Sequence, residues 1–206
     1  MFVIGDSMNG GPTTCIESYD SKADRWVKVE GVHTAEPRAY HKCTAMGSHS
    51  YVLGGFNGDD YFRGARCFNP HTKTWRSVTP MRVKRGYVSV ALLSNIIYAV
   101  GGYDGREWQS SAENFDYRNS QWTVIASINQ QRCDACATAR NGDVYLTGGF
   151  SGSECLGSSE RYDPQFDEWE AITSMRYRLG GLTCIRLRDN TYAIGGFSGH
   201  YKLFSA

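Results

Sequence analysis

Apolar residues in this chain come in short runs, and four of the runs end alike. "SYVLGGFNG" begins at 50, "IYAVGGYDG" at 97, "VYLTGGFSG" at 144 and "TYAIGGFSG" at 191. Each run is apolar at nearly every position up to its two glycines, the pattern of a strand buried on both faces. Around the second of them, 86–93, 96–102, 111–117 and 121–126 read as four successive strands, which we call a to d. Gly, Asn, Asp and Ser punctuate the intervals. In the following unit Asn141-Gly142 is a two-residue hairpin signal between strands a and b. No segment sustains a helical period.

The runs are in phase. The first glycines of the doublets are Gly54, Gly101, Gly148 and Gly195, three steps of 47 residues, followed by Gly55, Gly102, Gly149 and Gly196. An earlier copy has Gly5 with Asp6 in place of the second glycine. Trp26, Trp75, Trp122 and Trp169 each follow a first glycine by 21, and Tyr19, Phe68, Phe115 and Tyr162 follow by 14. Arg38, Arg85 and Arg132 precede a doublet by 16; Leu179 holds that place in the last unit, with Arg178 beside it. Four antiparallel strands per 47-residue unit predict the blade of a β-propeller. The expected divisions are approximately 1–37 (incomplete), 38–84, 85–131, 132–178 and 179–206 (incomplete), about four and a half blades of an all-β partial propeller. The tryptophans are expected to pack blade on blade, and the glycines to let backbones approach. The small-residue run "CDACATA" is read as an innermost strand near the axis.

Composition removes several function classes. A net charge of +1 gives no general attraction to nucleic acid or to a membrane surface, and no apolar run approaches the roughly 18 residues of a membrane span. Seven scattered cysteines suggest free thiols in a reducing compartment, so a cytoplasmic location is expected. Cys133 and Cys136 have metal-ligand spacing. Read as part of a strand, they would point to opposite faces and could not share a metal. The five histidines (His33, His41, His49, His71, His200) show no repeat phase, and no acids pair at a constant unit position, so no catalytic group, metal or cofactor is expected.

The doublets, the "YDG" and "FNG" that follow them, "ERYDP" at 160 and the phased tryptophans resemble the kelch repeat, over essentially the whole chain. Within that family the sequence is similar to the BTB-kelch (kelch-like) adaptors. "PRAYH", "RGYVSV" and "NGDVYLTGGFSGSECL" carry a closer likeness to a member with a role in sperm development. The resemblance implies a six-bladed complete domain, of which this chain holds a part. It also implies a substrate-recognition module of a Cullin-3 ubiquitin ligase. Cullin-3 would be reached only through BTB and BACK regions, absent from this sequence. Other kelch proteins bind actin filaments, and some kelch-type propellers house a copper oxidase, so a cytoskeletal scaffold and an enzyme stand as alternatives.

In a propeller the b–c and d–a connections share one rim. The resemblance implies that d–a arginines and b–c aromatics there line a pocket for a protein or peptide. The d–a candidates are Arg38, Arg85, Arg132 and Arg178, with Arg82, Lys84 and Arg176 nearby. The b–c candidates are Phe56, Asn57, Tyr103, Asp104, Phe150, Ser151 and Phe197, with Ser198. Arginine and aromatic side chains are the types enriched at binding hot spots, and arginines could fork an acidic segment. The competing reading of each arginine is an inter-blade salt bridge. The loop acids Asp59, Asp60, Asp104, Glu107 and Glu154 would offset the basic rim or simply face solvent.

Overall fold

A computed structural model describes residues 2–8, 10–30, 32, 36–188 and 190–199. His33, His200 and the tail from 200 to 206 lie outside the described residues. The first sheet holds β1 (Phe2–Ile4), β4 (Ile16–Asp20) and β5 (Arg25–Lys28), in that order. A small hairpin of β2 (Ser7–Met8) and β3 (Gly11–Pro12) stands beside it. Three four-stranded sheets follow. The first of these is β6 (Lys42–Met46), β7 (His49–Leu53), β8 (Ala65–Asn69) and β9 (Thr74–Val78). The next is β10 (Ser89–Leu93), β11 (Ile96–Val100), β12 (Ala112–Asp116) and β13 (Gln121–Ile125). The third is β14 (Cys136–Arg140), β15 (Asp143–Thr147), β16 (Ser159–Asp163) and β17 (Glu168–Ile172). A two-stranded sheet of β18 (Thr183–Leu187) and β19 (Asn190–Ile194) comes last. All pairings are antiparallel and, apart from β1 with β4, join strands consecutive in the chain; the described sheets do not close into a ring: this is an all-β partial propeller.

The core lies between sheets rather than inside any one of them. β11 shows why its run is apolar throughout. Ile97 and Ala99 pack with Leu53, Met81, Val90 and Phe115, toward the preceding sheet. Tyr98 and Val100, on the opposite face, pack with Ile125 of their own sheet and with Val144, Leu146 and Tyr162 of the following one. Each buried Val, Ile, Leu, Met or Phe side chain among them contributes about 1.5–3 kcal/mol. The tryptophans of the fourth strands fasten the same interfaces: Trp122 Nε1 donates to Thr79 O at 2.7 Å and Trp169 Nε1 to Ala126 O at 2.8 Å, each in the preceding unit. Trp26 is the contrast. Its sheet has no described neighbour on that side, and it is 45% exposed. Apolar residues at the other end, Ile185, Leu187, Tyr192 and Ile194, are exposed for the same reason.

The first strands of successive sheets face one another, β6 to β10 to β14 to β18. The glycine doublet is where one blade meets the next. Gly55 N donates to Arg85 O and Gly102 N to Arg132 O, both at 2.9 Å, and Asp6, at φ 87, makes the same bond to Arg38 O. Gly55 sits at φ +103, and a Cβ there would come within 2.8 Å of Ala39 O. Asn141 and Gly142 both have positive φ, as the predicted hairpin turn requires. One expectation is corrected. Cys133 and Cys136 do not share a strand: Cys133 makes an isolated bridge to Phe150, Asp134 turns the chain at φ 54, and only Cys136 opens β14. The geometric argument against a shared metal therefore does not apply. Among the described residues, no group of three His, Cys, Asp or Glu is placed to hold one.

Candidate functional site

The predicted rim arginines separate into buried and exposed. Arg38, Arg85 and Arg132 are 3%, 0% and 1% exposed. Arg85 Nη1 donates to Gly101 O at 2.7 Å and Ser111 O at 2.9 Å, while Nη2 reaches Ser111 Oγ at 2.9 Å and Glu113 Oε1 at 3.0 Å. Arg132 repeats the arrangement with Gly148 O, Ser158 O, Ser158 Oγ and, at 2.7 Å, Glu160 Oε1. Each glutamate also accepts from the incoming d–a connection: Glu113 from Arg82 N at 2.7 Å, Glu160 from Asn129 N at 2.7 Å. Burial pulls both guanidiniums below their ordinary pKa, and the paired carboxylates oppose the shift. These are corners that staple a connection to the third strand of the blade it enters. The expectation that Arg38, Arg85 and Arg132 present themselves to a partner is corrected, because a guanidinium enclosed by carbonyls cannot also fork a ligand. Arg178 does lie on the surface, in an ion pair with Glu154.

The aromatics behave differently. Phe56 is bridged between Ala39 and Tyr61, Tyr103 between Gly86 and Trp108, and Phe150 between Cys133 and Cys155; Phe197 is bridged to Gly180. The rings form one continuous row. Tyr87 stacks on Tyr40 at 4.2 Å between centroids, and Tyr40 neighbours Phe56 at 6.4 Å. From Phe56 the row runs to Tyr61 (4.7 Å), Tyr103 (5.2 Å), Trp108 (5.0 Å) and Phe150 (6.4 Å). Asn57, Asp104 and Ser151 use side-chain oxygens to cap their own loops. Asn57 accepts from Asp59 N and Asp60 N, Asp104 from Arg106 N and Glu107 N, and Ser151 from Ser153 N and Glu154 N. Their first task is therefore to hold the loop that displays the preceding aromatic.

The row stops at a cavity of about 920 Å³, within the roughly 300–1,000 Å³ typical of binding clefts. Its walls include Tyr61, Tyr87, Tyr103, Trp108, Phe150 and Phe197, with Cys133, Asp134, Cys155, Gly180 and Gly181. The repeat explains why it opens here. Tyr40 and Tyr87 share a phase with Asp134 and Gly181; Tyr61 and Trp108 share one with Cys155. Two ring positions are thus vacated together in the third full unit. The backbone does not change: Tyr87 N donates to Tyr40 O, Asp134 N to Tyr87 O and Gly181 N to Asp134 O, all at positive φ. The scaffold is conserved through the turns while the side chains on it differ.

The chemistry of the cavity is apolar with two acids, Asp134 and Glu154. Burial pushes the Cys133 thiol up to about 12, with Asp134 adding to the shift, and burial raises Cys155 as well. Both remain thiols at neutral pH and act as small apolar groups. Burial also raises the Asp134 carboxyl, and Lys42 opposes this. Sequence reasoning named Phe56, Tyr103, Phe150 and Phe197 as candidates, and the last three line the cavity. It missed Tyr40, Tyr61, Tyr87, Trp108, Cys133, Asp134 and Cys155, although the same 47-residue spacing marks all but the variation itself.

Residues 1–196 match the family described as the KLHDC2/KLHL20/DRC7 Kelch-repeats domain. The chain is 34% identical over 94 residues to Kelch repeat-containing protein kel-10 of Caenorhabditis elegans, a match covering 45% of this chain and 16% of that protein. It is 32% identical over 79 residues to human Kelch-like protein 4, covering 38% of this chain and 11% of the relative. The matched region therefore spans less than a fifth of either relative. A solved structure titled "Structure of YjhT" superposes on all of the chain and 76% of its own with a TM-score of 0.87 at 14% identity, a likeness of fold.

Proposed function

The chain belongs to the kelch-repeat family, and on that premise we propose that its aromatic rim is a protein-binding surface. A partner segment inserts an apolar or aromatic side chain where the row of rings breaks off. The observation that carries this is the cavity beside Phe150, which sits where Cys155 and Asp134 stand at ring positions. Buried thiols and rings favour an apolar group, and Asp134 and Glu154 on the wall favour a neighbouring cation on the same segment. This replaces the acidic segment expected when the arginines were assigned to the rim.

The wider role rests on the kelch-like relatives. The rim serves as the substrate-recognition face of a Cullin-3 ligase adaptor acting in the cytoplasm. Cullin-3 would be held by BTB and BACK regions outside this sequence. Ubiquitin transfer belongs to the recruited enzyme, and this chain contributes binding. The closer sequence likeness to kelch-like protein ten supports a setting in sperm development. No feature of the rim favours an actin filament over a short segment.

Site-specific photo-crosslinking in the native protein tests the reading. Benzoylphenylalanine in place of Phe197, on the rim, is expected to trap a partner. The same group in place of Phe166, in the c–d turn at the opposite end of the sheets, is expected to trap none. Crosslinks from position 166 alone would overturn the assignment of the face.

A further inference from the structure

One position of the rim runs through four units and changes its occupant twice. Tyr40, Tyr87, Asp134 and Gly181 stand 47 residues apart, at φ 56, 52, 54 and 67. The links between them repeat: Tyr87 N donates to Tyr40 O at 2.7 Å, Asp134 N to Tyr87 O at 2.8 Å and Gly181 N to Asp134 O at 2.9 Å. On this constant backbone the side chains read ring, ring, carboxylate, nothing. The two rings stack at 4.2 Å between centroids. The carboxylate borders the vacant place, since a Cβ built on Gly181 would lie 3.1 Å from Asp134 Oδ2. The two acids of the cavity are not equivalent. Glu154 is paired with Arg178, and its side chain is 52% exposed. The Asp134 carboxylate makes no hydrogen bond or ion pair among the described residues, and Lys42 acts on it only through space. The described wall carries no lysine or arginine. A partly buried carboxylate without a counter-charge is costly, so the site favours a cation.

We infer that the cavity takes the guanidinium of an arginine on the bound segment, its donor edge on Asp134 and its face on the surrounding rings. The inference rests on the rim being the binding surface, and it makes the partner a basic segment. The choice of arginine over lysine follows from the wall. A guanidinium is planar and weakly hydrated, stacks on aromatic faces and forks a carboxylate through two parallel donors. Tyr87, Trp108 and Phe197 supply faces, and Asp134 supplies the two oxygens. An ammonium is a strongly hydrated point charge with donors in three directions. The wall offers it one free carboxylate and otherwise rings, thiols and glycines, with Ser153 and the already paired Glu154. The volume of about 920 Å³ leaves room beside the arginine for the apolar neighbour on the same segment.

Titration of the native chain with capped dipeptides at constant ionic strength is the test. The readout is the indole N–H resonance of Trp108, identified by its loss in Trp108→Phe, so that the response belongs to the cavity. N-acetyl-Phe-Arg-amide is expected to shift it saturably. N-acetyl-Phe-citrulline-amide keeps the shape of arginine without the charge. It is expected to bind at least about tenfold more weakly, the loss of one charge-assisted contact. N-acetyl-Phe-Lys-amide is expected to bind more weakly than the arginine compound. Asp134→Asn, whose side chain tolerates the positive φ of this turn, is expected to bring arginine and citrulline to equal affinity. The wild-type comparison of arginine with citrulline stands even where that variant does not fold. Four results each overturn the inference: no saturable shift with the arginine compound, citrulline or lysine binding as tightly as arginine, or an undiminished arginine preference in folded Asp134→Asn. Crosslinking from position 197 is followed in parallel. If it persists after such a result, the arginine assignment falls and the rim reading stands; if it is absent as well, both fall.

Discussion

The buried arginine corners and the rim row are built on the same 47-residue period and have opposite histories along the chain. At the corners, Arg85–Glu113 and Arg132–Glu160 repeat the same four Nη contacts. On the rim, the backbone bridges repeat while the residues upon them pass from tyrosine and tryptophan to aspartate and cysteine. Where these two full units meet the preceding ones in one geometry, chemistry is held. Where only the backbone meets the neighbour, side chains vary, and the variation opens an apolar cleft. Repetition marks packing here, and the break in repetition marks the candidate site.

The comparison breaks first at the corners. Glu113→Ala leaves Arg85 fully buried without its carboxylate and frees the backbone of the d–a connection. Loss of one partner of such a pair costs about 3–5 kcal/mol, measurable as a fall in unfolding free energy by denaturant titration. A change below about 1 kcal/mol, as for an exposed pair, would show that the corner is not a structural unit. The tryptophans sharpen the contrast within one phase. Trp122→Ala is expected to cost about 3 kcal/mol or somewhat more, whereas Trp26→Ala, at a half-exposed site, is expected to cost under about 1 kcal/mol. Equal losses in the same titration would mean that Trp26 is covered in solution.

What could be read in the sequence follows the same division. Strands, hairpins and blade order were legible because burial on both faces writes a continuous apolar run, and glycine pairs mark each close approach. The arginines were legible as a phased set but not as interior groups. Their glutamate partners lie 28 residues further on, in strand c, and only the sheet brings them together. Cys133 and Cys136 were misplaced because small apolar residues beside a strand look like its continuation. The positive-φ turn at Asp134 carries no glycine to announce it. Cys155 and Trp108 escaped notice for a different reason: a position that passes from tyrosine to tryptophan to cysteine leaves no motif, although its register is fixed.

Smallest in stability and largest in meaning is substitution on the rim. Cys155→Trp is the one measurement that bears most directly on the central claim, because it restores the ring that the two preceding units carry and so fills the cleft without touching a corner. Partner crosslinking from position 197 and thermal unfolding are to be followed together. The account predicts an unfolding midpoint at or near that of the wild type and loss of the crosslink. Undiminished crosslinking in a folded Cys155→Trp protein would contradict it and move the binding surface off the vacated ring positions.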